Sequence, residues 1–369
     1  MSTAQSVNEI NRNRIILRVW LGVVLVAIFA LVIVGGATRL TDSGLSITQW
    51  EPIHGVIPPL SQAEWEEELE LYRQIPEYQQ INKGMSLSEF KYIYWWEWGH
   101  RILARGVGLI YGLPLLVFWL AGRIEPQLKM PLVVILGLGG LQGFIGWWMV
   151  ASGLVDRVDV SQYRLATHLT LACVIFAAIV WVSRGLARNG QDAYPSASSG
   201  FVAGAIAIMV LFQIYLGGLV AGLDAGLAYN TWPLMDGTLL PANLLVAEPL
   251  WVNFFENAKT VQFTHRTFAY VLWVVVLIHM IDSIMRAPGS THAKRAIVLF
   301  GLVSLQAVAG IVTLLMQVPM SWALIHQGMA LIVLGFAVAH WRAFVGSYAL
   351  PNAVVNRAFA RSNNRPVES

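Results

Sequence analysis

Long apolar runs separated by short polar stretches set the pattern of this chain. Eight of them come close to the ~20 apolar residues that a bilayer crossing needs. They run roughly Ile15–Ala37, Ile93–Ala121, Pro131–Ala151, Leu165–Leu186, Phe201–Gly222, Val261–Ile284, Ile297–Met316 and Ser321–Val345. Two connections are long. The first, about Thr38 to Tyr92, contains Glu64 to Leu71, whose apolar and acidic spacing predicts a short helix outside the membrane. The other, about Leu223 to Thr260, is punctuated by Pro233, Pro241 and Pro249.

A polar linker, Arg188–Gly200, divides the chain near its middle, and the halves on either side read as repeats. Gly35-Gly36 followed by Asp42, Gly44 and Trp50 has the spacing of Gly217-Gly218 followed by Asp224, Gly226 and Trp232. Leu141-Gln142 with Gly146 matches Leu305-Gln306 with Gly310; His100-Arg101 matches His265-Arg266, and His168 matches His326. Four spans per repeat give both copies the same membrane orientation. The expected architecture is an all-α polytopic membrane protein, with eight transmembrane helices arranged as two four-helix bundles about a pseudo-twofold axis along the membrane normal. The halves are residues 1–188, with the long outer loop 38–92, and 201–369, joined by a cytoplasmic linker at 189–200.

Composition agrees. At 56% hydrophobic and 12% charged residues, the chain is far from a soluble domain, which carries roughly a quarter charged residues. Fifteen tryptophans and 32 glycines suit interfacial aromatic belts and close helix contacts. The net charge of +3 says little about partners, because the charges are sorted by side. The N-terminus, the even-numbered connections and the C-terminal tail hold 14 of the 24 Lys and Arg, whereas 16 of the 21 Asp and Glu lie on the odd side. The basic excess places both termini in the cytoplasm, or on the matrix side in a mitochondrion. The apolar stretch after Arg12, Arg14 and Arg18 is long enough to span, and reads as a retained helix rather than a cleaved signal. A single cysteine, Cys173, excludes an intrachain disulfide and a thiolate cluster.

Of eight histidines, His100, His168, His265 and His326 fall in the first turns of spans two, four, six and eight, all of which enter from the outside. A lone membrane histidine is usually a packed, hydrogen-bonded residue; four at matched depth, one pair per repeat, reverse that expectation. Two neutral imidazoles from facing helices suit a haem iron held from both sides. Zinc would want a third or fourth ligand, and none is paired with these positions. His54, His279, His292 and His340 read as ordinary loop or helix-end residues.

The two repeats differ at one chemical position. Trp95-Trp96-Glu97-Trp98-Gly99-His100-Arg101 has a glutamate where Val261-Gln262-Phe263-Thr264-His265-Arg266 has a glutamine. Glu97 is either an interfacial partner of Arg101, four residues on, or a carboxylate that accepts a proton or stabilises positive charge beside a bound porphyrin. Gln262 cannot act as a base, so the asymmetry assigns chemistry to the first half and a held cofactor to the second. Arg39, Arg101, Arg105 and Arg266 lie near the same boundary, where snorkelling to headgroups and pairing with haem propionates are about equally expected. The glycine pairs, with Gly146 and Gly310, suit close helix packing. Gln142, Gln213 and Gln306, each four residues before a glycine, fit either interhelical hydrogen bonds or a cavity lining.

Over nearly its whole length the chain resembles the haem A synthase family of terminal-oxidase biogenesis, in the branch shared by mitochondria and related bacteria. The residues that carry the resemblance are Gly35-Gly36-Ala37-Thr38-Arg39-Leu40-Thr41-Asp42-Ser43-Gly44-Leu45-Ser46, Pro76-Glu77-Tyr78, Glu89-Phe90-Lys91, the block Trp95 to Arg101 and the four histidines. The resemblance implies oxidation of the C8 methyl group of haem O to a formyl group, by successive hydroxylations to a gem-diol that loses water. It implies His100 and His168 as ligands of the substrate haem, His265 and His326 as ligands of a haem b cofactor, and Glu97 as the essential glutamate. It further implies a bacterial inner membrane (or mitochondrial inner membrane) location. Membrane lipid, a haem O synthase and an electron acceptor are the implied partners, with homo-oligomerisation open and nucleic acid excluded. Some bacterial members carry cysteine pairs in the outer loops; this chain has none there, so no thiol step carries over. The rival reading is a di-haem b-type, quinol-linked electron-transfer cytochrome using the same histidines. A transporter is disfavoured because the ionisable groups cluster at the outer face rather than at the midplane.

Overall fold

The computed structural model describes residues 7–50, 54–187 and 197–350. Twelve α-helices occur among them: α1 (Val7–Leu40), α2 (Gln62–Arg73), α3 (Pro76–Gln80), α4 (Leu87–Leu120), α5 (Pro126–Val150), α6 (Gln162–Gly185), α7 (Ala197–Gly222), α8 (Ala225–Ala228), α9 (Asn253–Glu256), α10 (Ala258–Arg286), α11 (Thr291–Leu315) and α12 (Met320–Val345). Eight of these are long and apolar enough to cross a membrane, and the chain is an all-helical multi-pass membrane protein. Most of the linker expected at 189–200 lies outside the described residues.

The spanning helices run past the apolar runs that announce them, because polar residues at their ends continue the backbone ladder. At α4, Ser86 and Glu89 form a reciprocal capping box that satisfies orphan amides and starts the helix at Leu87, six residues ahead of Ile93. Inside α4, Pro114 cannot donate to the carbonyl one turn back. That carbonyl, of Ile110, instead accepts from Trp20 Nε1 of α1 at 2.9 Å. The helix break is thereby turned into an interhelical bond.

Corresponding helices of the two repeats have corresponding neighbours. α1 packs on α4, α6 and α12, while α7 packs on α10, α12 and α6, and α6 and α12 meet between them. The second glycine of each Gly-Gly pair serves this central seam. At Gly218 an added methyl would lie 2.9 Å from Ala166 Cα, and at Gly36 it would overlap the amide of Gln327, whose Nε2 donates to Val32 O at 2.8 Å. One pairing differs between the halves: α10 and α11 pack extensively, whereas α4 and α5 barely meet.

A second apolar core lies beyond the span ends on the long-loop side. Trp65, Leu69 and Tyr72 of α2, with Ile75, pack on Leu45, Val160 and the first turns of α4 at Phe90, Ile93 and Tyr94. The helix expected around Glu64 to Leu71 is therefore the roof over α4. On the opposite side, buried Arg14 bridges Glu125 at 2.6 Å and donates to Tyr348 O and Ala349 O, tying the end of α12 beneath the first half. Buried His279 and His340 approach Nε2 to Nε2 at 2.9 Å, joining α10 to α12 as structural residues.

Candidate functional site

The four helices that enter from the long-loop side each carry one histidine in their first half: His100 on α4, His168 on α6, His265 on α10 and His326 on α12. His100 and His168 lie within electrostatic range of each other, as do His265 and His326. The geometry thus groups them as one pair per half.

Each ring has a seat made by a missing side chain. A methyl added at Gly35 would fall 2.8 Å from His100 Cε1; at Gly146, 3.0 Å from His168 Cε1; at Gly217, 3.2 Å from His265 Cε1; and at Gly310, 2.7 Å from His326 Cε1. Contacts that short crowd out a Cβ unless the ring gives way, so these glycines seat the imidazoles against the neighbouring backbones. The first glycine of each pair receives a histidine, and the second packs the central seam.

The glutamines one turn before three of these glycines complete the seats. Gln142, Gln213 and Gln306 each donate Nε2 to the backbone oxygen of the facing histidine at 3.0 Å. The same nitrogen lies 3.2, 3.0 and 3.2 Å from Nδ1 of His168, His265 and His326. Of the two readings left open by the sequence, interhelical hydrogen bonding is the one formed. The fourth seat breaks the rule: one turn before Gly35 stands Leu31, and the buried Nδ1 of His100 has no hydrogen-bond partner. The recurring Gln-x-x-x-Gly spacing was the signal for this exception.

Glu97 is buried, and its Oε1 accepts from Arg101 Nε at 2.6 Å. It is also within electrostatic range of His100. Arg101 donates onward to Ile47 O at 2.9 Å and Gln49 O at 3.2 Å, latching the loop after α1. In the second half Gln262 reaches its loop directly, donating to Ala225 O at 2.8 Å and to Tyr229 O, the counterpart of Ile47, at 3.1 Å. Arg266 holds the same loop further on, at Pro233 O (3.1 Å). Arg39 bridges the halves: it meets Asp42 at 2.9 Å, Asp224 at 2.8 Å and Ala221 O at 3.2 Å. Arg105 stands one turn beyond Arg101 on α4. Three of the four candidate propionate partners therefore already hold loop carbonyls or carboxylates, and of these contacts the sequence offered only the Glu97–Arg101 pair.

Two carboxyls of the roof are pushed up from their ordinary values. Burial pushes Glu77 up to about 7, against the Tyr72 hydroxyl that stabilises its charge. Burial likewise raises Asp42, with Arg39 opposing. Among the described residues no group of three or more His, Cys, Asp or Glu side chains is arranged to hold a bare metal ion.

Residues 18–338 match the COX15-CtaA family, described as cytochrome oxidase assembly protein. The chain is 62% identical over 353 residues to a protein of Rhizobium meliloti (strain 1021) named heme A synthase, covering 96% of each chain. Proteins of the same name from Rhizobium etli (strain CIAT 652) and Allorhizobium ampelinum are 63% and 64% identical over 351 residues, 95% of this chain and 96% of theirs.

Proposed function

The chain belongs to the COX15-CtaA family of cytochrome oxidase assembly proteins, and on that premise we propose that it performs the synthesis its relatives are named for. It is an oxidoreductase that converts the C8 methyl group of haem O into the formyl group of haem A. With water as the oxygen source the change is R–CH3 + H2O → R–CHO + 4H⁺ + 4e⁻. A site for it must hold the porphyrin at a fixed edge, take up protons and pass electrons to an acceptor.

The observation that carries this reading is the paired seating of the histidines. Two imidazoles per half, each set on a glycine of the preceding spanning helix, are a donor set that would hold a porphyrin iron. Three of them have a glutamine at Nδ1, the outer contact that fixes the orientation of a ligating imidazole. We assign His100 and His168 to the substrate haem and His265 and His326 to a resident haem b, which supplies one-electron redox chemistry when bound. The first half carries the reaction because only it has a carboxylate, Glu97, at the turn before its first histidine. Arg101 fixes the rotamer of that carboxylate, from which it accepts a proton or stabilises positive charge beside the methyl carbon. Arg39, Arg101, Arg105 and Arg266 lie near the same boundary and would be the partners of haem propionates, whose carboxylates the guanidinium fork suits.

The protein lies in the bacterial cytoplasmic membrane with both termini inside, on the basic-residue asymmetry. A haem O synthase upstream and an electron acceptor are its functional partners.

The test is extraction of haem from purified parent protein and from four histidine variants. Haems B and O or A are expected from the parent. His265→Ala and His326→Ala deplete haem B, while His100→Ala and His168→Ala reduce haem O and A and spare haem B. Recovery of unmodified haem B alone, lost equally from variants of both halves, would make this an electron-transfer cytochrome.

A further inference from the structure

Beyond the spanning helices, the exposed surface on the long-loop side is of two kinds. The roof helix α2 turns Glu64, Glu66, Glu67 and Glu70 outward and faces water. The loops between α1 and α2 and between α8 and α9 are the opposite. Ile57 (67% exposed) and Leu60 (78%) stand out from the first, and Leu239 (78%) and Leu240 (70%) from the second. The two tips are copies in sequence. Trp50 and Trp232 are each followed at five residues by a glycine, at seven by Ile57 or Leu239, and at nine by Pro59 or Pro241. No Asp, Glu, Lys or Arg occurs between Glu51 and Glu64, nor between Asp236 and Glu248.

Both tips are held against the ends of spanning helices. In the second half Arg266 donates to Pro233 O at 3.1 Å and Trp232 Nε1 donates to Tyr270 Oη at 2.9 Å. Arg266 and Tyr270 lie about 12 and 18 Å along α10 from Ala258, at 1.5 Å per residue. Tyr270 heads an exposed row on that helix, continued by Val271, Val274 and Ile278, so the loop joins the face that meets acyl chains. In the first half Arg101 holds Ile47 O and Gln49 O and lies over the Trp50 ring at 5.8 Å. Trp65, at the start of α2, packs on Trp95 of α4 with centroids 5.6 Å apart, which brings Leu60 to the aromatic end of that span.

The backbone of the second tip is bonded within the loop and to the start of α10. Met235 and Thr238 exchange amide hydrogen bonds at 2.9 and 3.2 Å. Buried Asn253 accepts from the amides of Val246 and Ala247 and donates to Ala247 O and Leu250 O. Leu244 O accepts from Asn257 and Thr260. Polar groups turned inward with apolar side chains outward is what a hydrocarbon environment requires, and a patch that water disfavours.

We propose that the two loop tips are inserted in the leaflet on the long-loop side, where Ile57, Leu60, Leu239 and Leu240 contact acyl chains at the headgroup boundary. They are anchors additional to the eight spans. A lipid surface fits them better than a protein partner, because they occur once per repeat on different flanks. One lies on α4, which packs on α1; the other lies on α10, which packs on α7; and α6 and α12 meet between. A partner seated on one flank leaves the other tip bare, whereas the bilayer surrounds both. The indoles of Trp50 and Trp232 beside Arg101 and Arg266 have the composition of an interfacial belt. Insertion fixes the height of the loops that these arginines hold, and with them the ends of α4 and α10 that carry His100 and His265.

The experiment places an environment-sensitive nitrobenzoxadiazole label on Ile57→Cys, Leu240→Cys and, as a water-facing control, Glu67→Cys of the full-length protein. Each is reconstituted at high lipid-to-protein ratio into phosphatidylcholine–phosphatidylglycerol vesicles carrying a nitroxide near the top of the acyl chain. The native thiol, Cys173, is buried, and the labelled parent serves as the blank. Labels at Ile57→Cys and Leu240→Cys are expected to emit to the blue of the control. The acyl nitroxide should quench them at least about threefold more, as insertion reaches roughly 5–10 Å into the acyl boundary. Leu245→Cys, exposed on the same loop, repeats the reading should Leu240→Cys fail to reconstitute. With Leu239→Asp and Leu240→Asp added, the Leu245→Cys label should lose most of its quenching, because the charges lift the tip into water. Quenching no greater than at Glu67→Cys would overturn the proposal and leave the tips in water. Blue-shifted labels that the acyl nitroxide does not quench would also overturn it, by putting a second copy of this chain over the tips.

Discussion

The Glu97 carboxylate meets the Arg101 guanidinium at 2.6 Å, and through Arg101 it holds the loop at Ile47 and Gln49. In the second half Gln262 does the corresponding work without an intermediary. Both readings of Glu97 offered by the sequence, arginine partner and chemical group, therefore meet in one residue: the pairing is formed, and it aims the carboxylate.

Glu97→Gln keeps the size of the side chain, discards its charge and recreates the residue of the second half. It is expected to fold, retain haem b and produce haem A at least ~10²-fold more slowly, the range of a lost acid or base. Arg101→Ala, which frees the carboxylate but leaves its charge, is expected to cost less. Haem extraction from cells carrying each variant checks both, and near-normal haem A from Glu97→Gln would reduce Glu97 to a loop latch.

Gly310→Ala places a methyl 2.7 Å from His326 Cε1, so the ring must rotate away from its seat. Haem b content should fall severalfold, or its low-spin absorption should change. Gly301→Ala on the same helix meets nothing within 4 Å, and the gain in helix propensity, about 1 kcal/mol, makes it neutral or stabilising. Identical spectra for the two variants would dismiss the seat.

Glu77 supplies a pH dependence of the roof. Its folded pKa of about 7 lies above the ordinary 4.5, chiefly through burial, so the folded state keeps a proton that the unfolded state has already lost. Its contribution is complete below about 4.5 and is lost as pH rises through about 7. Amide exchange across residues 62–94 should be slower at pH 5.5 than at pH 8 after correction for intrinsic rates, and Glu77→Gln should flatten the difference. Equal protection of the parent at both pH values would count against it.

Orientation is open to labelling because Cys173, the one native thiol, is buried. Glu67→Cys on the exposed face of α2 should react with an impermeant maleimide in whole cells, and Lys294→Cys at the start of α11 only after permeabilisation. The reverse pattern would invert the protein and place the histidines at the cytoplasmic face.

Much was legible in the chain alone because the bilayer acts on it locally. A run of apolar residues must span and must satisfy its own backbone, so eight helices followed from Ile15 to Val345 without any knowledge of contacts. Repeat spacing set His100, His168, His265 and His326 at one depth, and isolated Glu97 against Gln262. What the sequence left undecided depends on which helices touch, since an apolar face meets lipid and protein on nearly equal terms. Only the tertiary structure showed that Gly35, Gly146, Gly217 and Gly310 receive imidazoles, and that Gln142, Gln213 and Gln306 bond their histidines while Leu31 leaves His100 free. It likewise buried Glu77 beneath α2, engaged Arg39 between Asp42 and Asp224, and set α4 and α5 apart. Most of these partners lie far apart in the chain, and their meeting is fixed by packing across helices, to which the periodicity of a single helix carries no clue.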